Sequence, residues 1–206
     1  MKAGLVLVVI LVVVALIFGG MYVSRRNQMA IKREAVNAAW SQVDVVLQRR
    51  ADLIPNLVAT VKGFAVHEEQ VFSEIAQARS ALIGAKTPAD KIAANGALDS
   101  ALSRLLVITE NYPQLKSNEN FLRLQDELAG TENRIAVERR RYNDTLQDYN
   151  TYVQQFPNSF FAGFAGFKPN EAYFEATPGS REVPKVNFSS PGATAPQATP
   201  QPAPVH

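Results

Sequence analysis

The chain contains no cysteine, so disulfides, thiolate metal sites and cysteine nucleophiles are excluded. Histidine is almost as scarce: His206 ends the chain and His67 stands alone in its body. His67-Glu68-Glu69-Gln70-Val71 starts as a zinc-protease helix does, but Val71 occupies the place of the second histidine. A di-iron pair needs a glutamate three residues before a histidine, and Phe64 stands there instead. No G-x-S-x-G elbow, P-loop or G-x-G-x-x-G turn occurs. An excess of one charge is missing as well, with 21 Lys and Arg against 19 Asp and Glu and a net charge of +2. That balance gives no electrostatic case for nucleic acid. Arg139-Arg140-Arg141 does not restore one, because three successive residues point around a helix and not along one face. Catalytic, cofactor-binding and metal-binding residues are therefore all expected to be none.

What the chain does have is a long apolar run. No residue from Ala3 to Ser24 is charged, and all residues from Leu5 to Phe18 except Ala15 are Leu, Val, Ile or Phe. Those thirteen side chains favour membrane insertion by about 4 to 8 kcal/mol, and about 20 such residues span the hydrocarbon as a helix. A cleaved signal peptide is the competing reading. Its best cleavage site, Phe18-Gly19-Gly20, places a bulky ring where a small residue is needed, so the segment is expected to remain. Lys2 precedes the run while Arg25, Arg26, Lys32 and Arg33 follow it. The positive-inside bias puts the N-terminus outside and the body in the cytoplasm. The four basic residues are also placed to meet anionic headgroups.

Beyond the anchor the apolar spacing is helical. Steps of seven from Val36 give Val43, Arg50, Leu57, Phe64, Val71 and Ala78, beside a stripe of Trp40, Leu47, Ile54, Val61, Glu68, Ile75 and Leu82. Arg50 and Glu68 are the polar members of this seam. Pro55 lies inside it and lacks a helical donor. Either the helix kinks there with its heptad phase intact, or Arg49 and Arg50 close one helix and Asp52 caps the next. Lengths favour the second: Gln28 to Ala51 gives about 36 Å, Leu53 to Gly84 about 48 Å, and a Thr87-capped helix to Tyr112 about 38 Å. A last helix from Asn118 to Phe156 is about 58 Å long, with a stripe of Phe121, Leu128, Ile135, Tyr142, Tyr149 and Phe156. Arg50 is expected to pair with Glu132 or Glu138 across helices, fixing register more than adding stability. The fold class expected is all-α: an up-and-down antiparallel bundle of four helical segments following a single N-terminal transmembrane helix.

From Phe156 to Phe174, rings alternate with Gly163, Gly166, Pro157 and Pro169, which reads as a loop. Its rings either fold back to cover the bundle end or stay partly exposed as a partner or membrane-surface contact. Pro191 to His206 is rich in Pro, Ala, Gln and Thr and reads as disordered. Residues 1–24 thus form the N-terminal segment and transmembrane helix, 25–182 the bundle with its aromatic loop, and 183–206 a tail.

Several blocks together resemble the LemA family: Arg49-Arg50-Ala51-Asp52-Leu53-Ile54-Pro55-Asn56-Leu57-Val58, Ala78-Arg79, Tyr112-Pro113, Glu132-Asn133-Arg134-Ile135, Arg141-Tyr142-Asn143, Tyr149-Asn150, Gly166-Phe167 and Tyr173-Phe174-Glu175. The resemblance covers roughly residues 30 to 176. It implies a bacterial single-pass membrane protein with a short outside N-terminus and a helical-bundle body, and it brings no agreed activity and no catalytic residues.

The expected function is a non-enzymatic protein-interaction or scaffold module at the bacterial inner membrane. Expected partners are the lipid bilayer and other membrane or membrane-associated proteins, with a homo-oligomer as a further possibility and no cofactor. The two alternatives are a lipid-surface sensing or remodelling protein, and an accessory subunit or enzyme with a buried polar site around Arg50, Glu68, Glu132 and Glu138 near His67.

Overall fold

A computed structural model describes residues 2–175. Within it, the residues up to Phe174 form one compact unit. The proposed division at residue 182 and the tail beyond it lie outside the described residues. Six helices and no strand occur among the described residues: α1 (Lys2–Lys62), α2 (Glu69–Gly84), α3 (Pro88–Thr109), α4 (Pro113–Lys116), α5 (Glu119–Gln154) and α6 (Asn158–Ala165). The molecule is an all-α helical bundle.

The apolar run and the first bundle segment are one helix. α1 passes from Lys2 through Ser24 and through Pro55 to Lys62 without interruption, so the expected break at Asp52 does not form. Asp52 caps nothing and instead accepts a hydrogen bond from Gln48 Nε2 at 3.0 Å. The reason lies in another helix. Pro55 has no N–H to give the Ala51 carbonyl, and Ala51 is fully buried, where an unpaired acceptor costs about 1 to 3 kcal/mol. Arg79 Nε of α2 donates to that carbonyl at 2.7 Å and takes the place of the missing helical donor. The chain turns later, between Gly63 and Glu68, where the N–H groups of Phe64 and Ala65 both reach back to the Val61 carbonyl.

The other boundaries follow their local chemistry. Thr87 Oγ1 accepts from the Asp90 N–H at 3.1 Å with Pro88 in the first turn, and Asn118 Oδ1 accepts from the Phe121 N–H at 3.0 Å. α5 stops two residues short of the expected Phe156.

Cross-helix pairs give the topology. α2 runs antiparallel to α3, with Glu74 bridged to Arg104 at 2.7 Å. α3 runs in the same sense as α1, since Lys91 pairs with Asp44 and Asn95 with Arg50. α5 returns antiparallel to α1: Glu132 meets Arg50 and Asp148 meets Lys32. The chain therefore goes up and down four times, with α4 as a turn.

The heptad stripe is the core where the helix continues. Val36, Val43, Leu47, Ile54, Leu57 and Val61 are at most 5% exposed. Phe64 and Phe156 lie past helix ends, where the seven-residue step no longer applies, and both are exposed.

α2 and α3 are about 24 and 33 Å long, while α1 beyond Arg25 and α5 run about 57 and 54 Å, so the first pair cannot cover the whole seam. Nearer the apolar run an extended strap, residues 167–174, covers it instead. Asn150 Nδ2 donates to the Asn170 carbonyl at 2.7 Å while its Oδ1 accepts from the Asn170 N–H at 2.9 Å. Asn143 holds the backbone of Phe174 in the same way, at 2.8 and 3.0 Å. Each side-chain amide thus satisfies a peptide group as a neighbouring strand would. Phe174 then closes over Trp40 and Tyr142, with centroids 6.0 Å from each. The aromatic segment is not simply a loop, because α6 forms inside it and ends at Gly166, whose φ of +75° suits glycine.

Candidate functional site

Arg50 is the centre of the buried polar chemistry. The heptad register turns it into the core, where its side chain is 8% exposed. Its Nη1 donates to Asn95 Oδ1 at 3.1 Å and lies 3.0 Å from Glu132 Oε2, and it also pairs with Asp99. Asn95 Nδ2 donates to Asp99 Oδ2 at 3.1 Å, which orients that carboxylate. Arg139 Nη2 approaches Asp99 at 3.7 Å, and its guanidinium stacks 5.0 Å above the Phe174 ring. The cluster thus holds two charges of each sign and ties α1, α3 and α5 together. A misregistered helix would strand a buried guanidinium, so the node selects one alignment of the helices.

The expected pairing of Arg50 with Glu132 is present. Glu138 is not its partner: among the described residues the carboxylates within ion-pair distance of Arg50 are those of Asp99 and Glu132. Asp99 and Asn95 did not figure in the sequence reading, because α3 shows little amphipathic patterning and nothing local marks Asp99 as inward-facing. The one available signal was spacing, since Asn95 and Asp99 stand one helical turn apart.

Beside the node a groove of about 390 Å³ opens between α1, α3 and α5, walled by Leu57, Leu102, Leu106 and Leu128, with Asp99 and Glu132 at one end. That is the size of a small-ligand cleft. Ser103 also lines it, and its Oγ donates to the Asp99 backbone carbonyl at 2.8 Å. His67 and Glu68 lie elsewhere, in the turn after α1, where Glu68 Oε1 accepts from the Tyr112 hydroxyl at 3.3 Å. The constellation of Arg50, Glu68, Glu132 and Glu138 with His67 therefore does not converge.

The basic residues after the apolar run are partly engaged within the protein. Lys32 bridges Asp148 at 2.6 Å, Arg33 lies 5.1 Å over the Phe167 ring, and Arg25 Nη1 donates to the Tyr152 hydroxyl at 3.5 Å. Arg26 is exposed. Most of this cluster thus holds α5 and the strap against α1, where sequence suggested headgroup contact for all four.

Two tyrosines on α5 share this region. Burial pushes the Tyr142 phenol above its ordinary value, with the nearby Tyr173 adding to the effect. Burial also raises Tyr149, against an opposing pull from Arg33, and its hydroxyl donates to the Lys168 carbonyl at 2.9 Å.

The model of the LemA family matches residues 39–188, which takes in α1 from Ala39 onward, the node and the strap. The chain belongs to the LemA family. Among curated relatives, this LemA protein is 28% identical to magnetosome protein MamQ 2 of Paramagnetospirillum magneticum, over 84% of its own length and 72% of the relative's. It is 26% identical to magnetosome protein MamQ of Magnetospirillum gryphiswaldense, over 77% and 68% respectively. Protein LemA of Metamycoplasma hominis is 26% identical over 68% of this chain and 64% of that protein. Neither the family name nor these names carry an enzymatic activity. The chain is a membrane-associated LemA protein of unassigned activity, and among the described residues one helix, α1, is long and apolar enough to cross a membrane.

Proposed function

We propose that this LemA protein is a membrane-anchored interaction module that acts by presenting a rigid bundle to other proteins, not by catalysis. One observation carries the reading: α1 runs from the apolar segment into the bundle core as a single helix, with no linker between anchor and body. Tethering raises the local concentration of a binding face at the bilayer, and an unbroken helix also fixes the height and orientation of that face. In this reading α1 crosses the bacterial inner membrane with its N-terminus outside and the bundle in the cytoplasm, as the flanking basic residues favour. Exposed Val107, Val137 and Leu122, at 66, 54 and 45%, provide apolar contact positions on the helices distal to the anchor. The partners are other membrane or membrane-associated proteins, a second copy of this chain included. The magnetosome proteins among its relatives agree with a role in organising a membrane assembly.

Crosslinking mass spectrometry on intact native membranes tests this. Recurrent links from Lys62, Lys86 or Lys116 to one other protein, or links between copies too long for a single bundle, are expected. Intrachain links alone, at reagent levels that crosslink known neighbours in the same membrane, would remove the proposal. The enzyme alternative loses support because its residues do not meet in one cleft.

A further inference from the structure

α6 and its flanks sort their rings onto two sides. Phe161 is 6% exposed and meets the Tyr22 ring edge-on with centroids 6.3 Å apart, and Ala162 is buried beside it. Phe160 and Phe164, one helical turn apart, are 59 and 72% exposed, and Phe156 before the helix is 84% exposed. Phe160 and Phe164 pack against each other with centroids 5.0 Å apart, so they form a patch and not scattered rings. No residue from Asn158 to Ala165 is charged.

The place of this patch along α1 decides what covers it. Tyr22 lies within the uncharged stretch Ala3 to Ser24, and Met21 and Val23 beside it are exposed. α6 is therefore held against α1 where the apolar run ends, before the first basic residues. Phe160 and Phe164 extend the exposed apolar surface of that run sideways. We propose that Phe160 and Phe164 form a lipid-contacting foot, with α6 lying in the interfacial layer of the same bilayer that α1 crosses. An uncharged aromatic helix suits the headgroup and acyl boundary, and Arg26 just beyond Ser24 adds attraction to anionic lipid. A single spanning helix leaves rotation and tilt free, whereas a second contact on the same rigid body restrains both. α1, α5 and the asparagine-held strap provide that rigidity. The inference does not depend on the protein-partner reading, and crosslinks to other proteins would neither support nor oppose it.

The absence of cysteine allows a direct experiment on the full-length chain. Single variants Phe160→Cys and Phe164→Cys are spin-labelled and reconstituted in phosphatidylcholine and phosphatidylglycerol vesicles, with Leu11→Cys as the bilayer reference and Ala76→Cys, exposed on α2, as the aqueous one. Labels at 160 and 164 are expected to collide more with oxygen than with a water-soluble nickel chelate, as at 11, with the order reversed at 76. Nickel exceeding oxygen at both positions overturns the foot. So does dipolar broadening at 164 that disappears on dilution with unlabelled protein while oxygen stays low, because a second copy then covers the patch. A conservative variant guards against misfolding: Phe164→Trp in vesicles of brominated lipid should gain a quenched emission component absent from the parent, whose one tryptophan, Trp40, stacks in the bundle. No added quenching overturns the proposal.

Discussion

Between Leu5 and Phe18, α1 carries thirteen large apolar side chains, all exposed, from 42% at Val14 to 71% at Leu16. Between Val36 and Val61 the same helix buries one stripe almost completely and, Arg50 apart, turns polar residues outward. The two stretches share a backbone and differ in how apolar residues are arranged around it. A stripe can be satisfied by one protein neighbour, here α5 with α2 and α3 alongside. An all-round apolar surface needs an apolar surrounding on every side.

The largest effect should come from placing one charge in each stretch. Leu47→Asp buries an unpaired carboxylate and should cost more than about 4 kcal/mol, measured by denaturant unfolding in detergent. Leu11→Asp should leave that unfolding within about 0.5 kcal/mol while making insertion about 3 to 4 kcal/mol less favourable, read by membrane fractionation. Equal effects on bundle stability would break the comparison.

Next is the passage of α1 through Pro55. Arg79→Ala should cost about 2 kcal/mol, by stranding the buried Ala51 carbonyl. In a Pro55→Ala background, where residue 55 supplies its own N–H, the same substitution should cost at least about 1 kcal/mol less. Additive losses would show that Arg79 does not serve as the surrogate donor.

A smaller effect is expected at the node, because Glu132 is 44% exposed and water screens it. A double-mutant cycle between Arg50 and Glu132 should give coupling of about 1 kcal/mol, and one between Arg50 and Glu138 about none.

The smallest effect is invisible near neutrality. Tyr142 and Tyr149 have raised pKa values, so the folded state holds their protons more tightly than the unfolded chain does. Their contribution is complete below the ordinary tyrosine value of 10.0 and is lost as pH rises through the raised values. Urea midpoints should be level on the neutral side of that value and fall above it, with a shallower fall in Tyr149→Phe. A fall of unchanged steepness in that variant would remove Tyr149 from the account.

Much of this was legible in the chain. Thr87 and Asn118 announced their helix starts because a cap acts within one turn. Glu132 stood as one of two candidates, with Glu138, because Arg50 broke an apolar seam and needed an opposite charge; the structure chose between them. Asp99 was missed because its partner is 49 positions away and α3 shows no clear inward stripe. The aromatic segment was ambiguous for a different reason. Composition shows that glycine and proline punctuate it, but not that Asn143 and Asn150 hold its backbone or that α6 forms within it.

The order of residues by itself determined the all-helical class, the long apolar run, the starts of α3 and α5 and the end of α2, since each depends on neighbours within a turn or on a simple period. Tertiary contacts decided whether α1 survived Pro55, which carboxylates met Arg50, and which phenylalanines stayed outside. Those outcomes depend on groups far apart in sequence, as with the 28 positions between Ala51 and Arg79, and a local pattern carries no information about which distant donor will arrive.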